Sequence, residues 1–138
     1  MDKVYVPFFK NDTFWRRIEQ ELTREVIARI RQRQDLFLTD EKSAELIIQG
    51  RIINYEKLIL AEDEQDRVVS AATRITVDVK VIRASNGEIM KSRVLDDATD
   101  YNQRIGETFE DAQTQTFRIL ARRIVALLEE DIGKDRTE

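Results

Sequence analysis

Two clusters of carboxylates and a scatter of basic residues are the groups in this 138-residue chain whose types and spacing point to chemistry. Glu62, Asp63, Glu64 and Asp66 form one cluster; Asp96, Asp97 and Asp100 form the other. Carboxylates so close together suit a divalent cation or an acid/base pair. Neither run has the spacing of a calcium loop with its closing glutamate, and nothing beside them marks a substrate cleft. Solvated loop acids are therefore the expectation, with no metal site. Histidine and cysteine are both absent, which removes thiolate nucleophiles, disulfides, the usual zinc ligand sets and imidazole proton relays. No glycine-rich phosphate loop, nucleophile elbow or kinase motif is present either. A non-enzymatic protein without a cofactor is expected.

The basic residues are placed by the stretch Val68–Asp97. Val69, Ala71, Thr73, Ile75, Val77, Val79 and Val81 alternate with Ser70, Ala72, Arg74, Thr76, Asp78 and Lys80, so the two sets lie on opposite faces of one strand. The strand meets Asn86-Gly87, a strong signal for a tight hairpin turn. With those two as the turn residues, Lys80 opposes Arg93, with Lys91 beside them and Arg74 further along the same face. Like charges directly opposite each other destabilise a sheet, so this group is a candidate site for an anion or phosphate-bearing partner. The same hairpin brings the loops that hold Arg67 and Arg104 to its other end, a second candidate binding site.

The rest of the chain builds the scaffold. Val4–Phe9 reads as a strand, at a sheet edge or bulged because Pro7 cannot donate to a ladder. Asp12 or Thr13 caps a helix from about Phe14 to Gln32, with Phe14, Ile18, Leu22, Val26 and Ile30 as its apolar stripe. Arg17–Glu21 and Glu25–Arg29 are spaced as i,i+4 ion pairs on its other side. Leu36–Thr39 is a short strand, and Ala44–Leu60 a longer one in which Gly50 marks a bulge or a close backbone approach. After Leu95 the chain loosens, and a second amphipathic helix runs from about Glu107 to Asp131, followed by a frayed tail at 133–138. The predicted fold is one α+β domain over 1–138. It is a two-layer sandwich with two helices on one face of a mostly antiparallel four-stranded sheet, in the order β-α-β-β-β-α.

Composition limits the partners. Formal charge is −4, which gives no global basic field for nucleic acid. No apolar run approaches the roughly 20 residues of a membrane-spanning helix. Met1-Asp2-Lys3 leads straight into a strand with no visible signal peptide, which suits either a cytosolic protein or a mature fragment whose leader has been removed.

Four segments in order, residues 4–30, 44–52, 76–90 and 115–130, together resemble the LPS-assembly lipoprotein family (LptE). The resemblance begins in VYVPFFKNDTFWRRIEQELTREVIARI, residues 4–30, with an F-x-N-x-T turn at Phe9, Asn11 and Thr13. An E-x-x-L-T helix start follows at Glu19, Leu22 and Thr23. It continues through AELIIQGRI (44–52), TVDVKVIRASNGEIM (76–90) and QTFRILARRIVALLEE (115–130), in order and over nearly the whole length. The resemblance implies a lipid-anchored protein on the periplasmic face of the outer membrane. Such a protein plugs or chaperones a lipopolysaccharide-exporting β-barrel and binds lipopolysaccharide. The family's anchor cysteine and signal peptide do not occur in this sequence, so the membrane attachment is expected from a leader outside it. Arg67 and Arg104 are the foremost binding candidates from loop geometry, with Arg74, Lys80, Lys91 and Arg93 behind them. The alternative is another periplasmic lipoprotein domain, resembling the N-terminal domain of TolB-like proteins or the curli-secretion pore family. A pore subunit would form a ring of identical copies, whereas a hydrolase would need a deep pocket around the loop acids.

Overall fold

The structure, a computed structural model, describes residues 2–137, with side chains through 129. The elements are β1 (Asp2–Tyr5), β2 (Lys10–Asn11), α1 (Ile18–Arg31), β3 (Leu36–Leu38), β4 (Leu46–Glu62), β5 (Val68–Arg83), β6 (Ile89–Asn102), a 3-10 turn (Gln103–Ile105) and α2 (Phe109–Thr137). The expected frayed tail at 133–138 lies outside the residues with described side chains.

The α+β sandwich is present, but its sheet is mixed and has six strands. Its order is β3-β1-β4-β5-β6, and β2 also pairs with β4. β1 runs parallel to β3 and β4, and β2 parallel to β4, while β4, β5 and β6 are antiparallel. Two physical facts replace the expected four antiparallel strands. Pro7 splits the first strand in two, and helix α1 carries the chain back so that later strands run parallel to β1. β1 consequently lies between β3 and β4, not at an edge.

Both helices cover one face. Ala71, Thr73, Ile75, Val77, Val79 and Val81 are buried on it, under α2 residues that include Phe117, Leu120 and Ile124. On β4 the buried residues are Leu46, Ile48 and Ile52, then Tyr55, because a register shift between Ile52 and Asn54 changes the parity. Gly50 is therefore not the bulge. It is the close approach: a Cβ there would lie 2.3 Å from the ring of Phe9.

The hairpin register departs from expectation by one residue. Gly87 alone takes a positive φ (73°), and the Asn86 side chain instead accepts the Glu88 N–H at 3.0 Å. The longer turn is closed by Gly87 N–H and Arg83 N–H donating to the Arg83 and Glu88 carbonyls, both at 2.9 Å. Lys80 therefore opposes Ser92, Val79 opposes Arg93 and Val77 opposes Leu95, with one further shift between Val81 and Ile82. A one-residue slip turns every β6 side chain to the other face. The observed register buries Leu95 and Tyr101, whereas the expected one would have exposed them. β6 also continues to Asn102, past the point where the sequence loosens.

Helix α1 starts at Ile18, four residues later than its apolar spacing suggests, and Phe14 is not in its buried stripe. The cause is a side-chain clip. Asn11 Oδ1 accepts the N–H and hydroxyl of Thr13 at 2.9 and 2.7 Å, and Thr13 Oγ1 accepts the Trp15 N–H at 3.1 Å. Asn11 Nδ2 donates to the Trp15 carbonyl and to Glu19 Oε2. Thr23, itself buried, accepts the Phe9 N–H at 2.9 Å. The residues that carry the F-x-N-x-T and E-x-x-L-T resemblance thus fasten the Phe9–Trp15 turn to α1. The α1 glutamates reach across to α2: Glu25 pairs with Arg118 at 3.5 Å, and Glu21 accepts from Gln113 and Thr114.

One carboxylate sits poorly in this core. Asp97 faces the helices opposite Ile75, and its Oδ2 is buried without a hydrogen-bond partner. Burial raises its pKa above the ordinary aspartate value; the Arg123 charge opposes the rise and Asp96 adds to it. A raised folded-state pKa means that stability falls as pH climbs from the unfolded carboxylate value through the folded one. Asp97→Asn is therefore expected to raise the melting temperature at neutral pH and to lose that advantage in acid. Thermal melts of both proteins across this range check it. A difference independent of pH would contradict it.

Candidate functional site

The six basic candidates fall in three places. Arg67 and Arg104 both lie at the end of the sheet remote from Gly87, where each acts on the Asp63 carboxylate. Arg67 Nε lies 2.7 Å from Asp63 Oδ2, its N–H donates to Asp63 Oδ1 at 2.9 Å, and Nη2 reaches Gln65. Arg104 is the middle residue of the 3-10 turn, where Asn102 Oδ1 accepts its N–H at 2.9 Å. The Asp63 carboxyl is held below the ordinary aspartate range, first by the Arg67 N–H, then by the Gln65 N–H, the Arg67 side chain and the Arg104 charge. Ile59, Leu60 and Ile105 are exposed at this same end. The acidic loop is thus a folded turn clasped by arginine, and among the described residues no group of acids is arranged to hold a metal ion.

Arg74 and Lys80 lie on the sheet face that no helix covers. Arg74 pairs with Asp96 at 3.0 Å, so it is a cross-strand strut with its charge already balanced. Lys91 and Arg93 point to the other face, alongside Val81 and Val79, and Arg93 donates to the Ser92 carbonyl at 2.8 Å. The expected contact between Lys80 and Arg93 does not form, because the register slip sends the two to opposite faces.

The bare face instead brings Lys80 beside residues that sequence reasoning missed. A cavity of about 210 Å³ is lined by Pro7, Phe8, Lys10, Arg51, Asp78 and Lys80, with Gln49 and Gly50 as its floor. β2 places Lys10 opposite Arg51, and β4 and β5 place Gln49 opposite Lys80 and Arg51 opposite Asp78. Arg51 also lies 3.6 Å from Asp12. Phe8 stands over the cavity, 70% exposed. Three cations against two carboxylates, Asp78 and the Asp12 that pairs with Arg51, leave a net positive charge next to an exposed aromatic ring, chemistry that suits an amphiphile with anionic groups. The parallel pairing of a two-residue strand creates it. The hint in the sequence was Pro7, which forces the first strand to break and leaves Phe8 outside the core.

Comparisons with known proteins agree with this fold. Protein XCC0632 from Xanthomonas campestris superposes with a TM-score of 0.73 at 10% identity, over 99% of this chain and 89% of that one. The hypothetical protein CT253 from Chlamydia trachomatis gives 0.70 at 14% identity, over 95% and 97%. Rare lipoprotein B from Shewanella oneidensis gives 0.62 at 14% identity, over 97% and 99%. Identities this low speak to the fold alone. No curated protein matches the sequence. The family model described as lipopolysaccharide-assembly, LptE, matches residues 1–128. That span takes in both helices' core stripes, the whole sheet and the Asn11 turn, so the chain belongs to the LptE lipopolysaccharide-assembly family.

Proposed function

We propose that this protein is a non-enzymatic lipoprotein on the periplasmic face of the outer membrane. It seats in a lipopolysaccharide-exporting β-barrel and binds lipopolysaccharide on its bare sheet face. One observation carries the reading: both helices lie on one side of the sheet, which leaves Lys10, Arg51 and Lys80 gathered beside Phe8 on the other. Lipopolysaccharide pairs phosphates with an apolar body, and that face offers cations and an aromatic ring in the same groove. Family membership supports the assembly role. Attachment to the membrane through a lipid anchor belongs to the same reading.

The barrel contact is assigned to the end that carries Arg67 and Arg104. Exposed Ile59, Leu60 and Ile105 there give apolar contacts, and the Asp63 clasp makes the tip rigid enough to insert without a large ordering cost. Arg67→Glu with Arg104→Glu is expected to reduce co-purification with the barrel by about tenfold or more, since truncated interfacial charges commonly cost 2 kcal/mol or above. Retention of the barrel at wild-type levels would overturn this contact. A homogeneous monomer by light scattering is expected for the isolated chain, and a ring of copies would favour the pore-subunit alternative.

A further inference from the structure

A second surface adjoins that groove and shares Lys10 with it. The turn between β2 and α1 holds Phe14 fully outside the protein, at 104% relative exposure. This is not a slack loop. Asn11 and Thr13 tie it by the five hydrogen bonds described above, and Trp15 is packed 4.5 Å from the Tyr55 ring and 5.5 Å from Phe109. Arg17 closes it in the left-handed region, with φ 69°. A large apolar side chain kept in water by a pre-formed turn gains nothing in the isolated molecule. Lys10, Arg16 and Arg17 line the same shallow depression as Phe14, all exposed, with Glu19 as the sole acid among its lining residues.

The occupant follows from that chemistry. The apolar group is a convex tip flanked by cations, with Phe8 exposed in the neighbouring segment. An aromatic ring at headgroup depth with basic side chains at the phosphates is how a protein docks on an anionic bilayer surface, and a fluid interface needs no matching cavity. We infer that the Asn11–Arg17 turn is a lipid-surface contact, in which Phe14 enters the interface of an anionic phospholipid bilayer while Arg16 and Arg17 meet its phosphates. This is independent of the lipopolysaccharide reading and does not require it.

Trp15 is the only tryptophan in the chain and adjoins Phe14, so its emission reports the contact directly. The chain is titrated with lipopolysaccharide-free vesicles of phosphatidylglycerol and phosphatidylcholine, and with phosphatidylcholine alone. A blue shift and co-flotation are expected with the anionic vesicles only. Phe14→Ala is expected to weaken binding about tenfold, and Arg16→Glu with Arg17→Glu by about as much, with unchanged circular-dichroism melts because neither change touches the core. Lys80→Glu, on the bare sheet face, should bind these vesicles as wild type does, which separates this contact from the lipopolysaccharide site. Absence of wild-type binding to anionic vesicles, or a Phe14→Ala protein that binds equally well, would overturn the inference. Concentration-dependent self-association abolished by Phe14→Ala, without vesicle binding, would assign the turn to a second copy of the chain and overturn it too.

Discussion

Gly50→Ala is expected to destabilise the fold by about 1–3 kcal/mol, the usual cost of forcing extra volume into a packed core. The added methyl would stand 2.3 Å from Phe9 Cε2 and 2.4 Å from Cδ2, well inside contact distance. Phe9 cannot simply swing away. It is 2% exposed, belongs to the main core cluster with Leu22, Val26 and Val79, and its N–H is fixed to Thr23 Oγ1. The strand and α1 must therefore separate, or the ring must leave a favoured rotamer. A double-mutant cycle makes the cause explicit. With Phe9→Ala in place the clash is gone, so Gly50→Ala should then be close to neutral, an interaction free energy of about 1–3 kcal/mol between the two sites. Urea denaturation of the four proteins measures it. The same cost in both backgrounds would show that the strand backbone, not the ring, demands glycine.

The groove at Lys10, Arg51 and Lys80 owes its shape to the same packing. Phe9 goes inward over Gly50, and strand alternation sends Phe8 and Lys10 outward on either side of it. Pro7 breaks the strand just before, and Lys10 and Asn11 resume pairing against Arg51 and Ile52. The core contact and the proposed binding surface are thus two faces of one short segment.

Much of this fold was legible in the residue pattern. The alternation from Val69 to Val81 marked the buried face, the four-residue spacing of Ile18, Leu22, Val26 and Ile30 marked α1, and Gly50 signalled a bulge or a close approach, of which the second holds. The placement of Arg67 and Arg104 at the same end of the sheet followed from hairpin direction alone. What could not be read has identifiable causes. Asn86 spends its side chain on the Glu88 N–H rather than adopting a positive φ, and that moved the register by one residue. Phe14 continues the helical stripe perfectly well, but the Asn11 and Thr13 side chains claim the backbone groups that would have extended the helix. A two-residue parallel strand leaves no period to detect, so the neighbours of Lys80 on the bare face emerged only in three dimensions. The candidates that lost their expected role, Lys91 and Arg93, did so for the first of these reasons.

The central claim is that the bare face binds lipopolysaccharide through its three cations. Lys10→Glu with Lys80→Glu changes two exposed or half-exposed side chains outside the core, so the fold is expected to persist. Charge-assisted contacts contribute about 1.5–3 kcal/mol each, so removing two should weaken capture by more than about tenfold. The most direct measurement is equilibrium capture of purified lipopolysaccharide by the wild type, by this variant and by Arg67→Glu with Arg104→Glu, each checked for an unchanged thermal melt. The account predicts a loss of more than about tenfold for the bare-face variant and near wild-type capture for the tip variant. Undiminished capture by the bare-face variant, with loss at the tip, would contradict it and move the lipopolysaccharide site to Arg67 and Arg104.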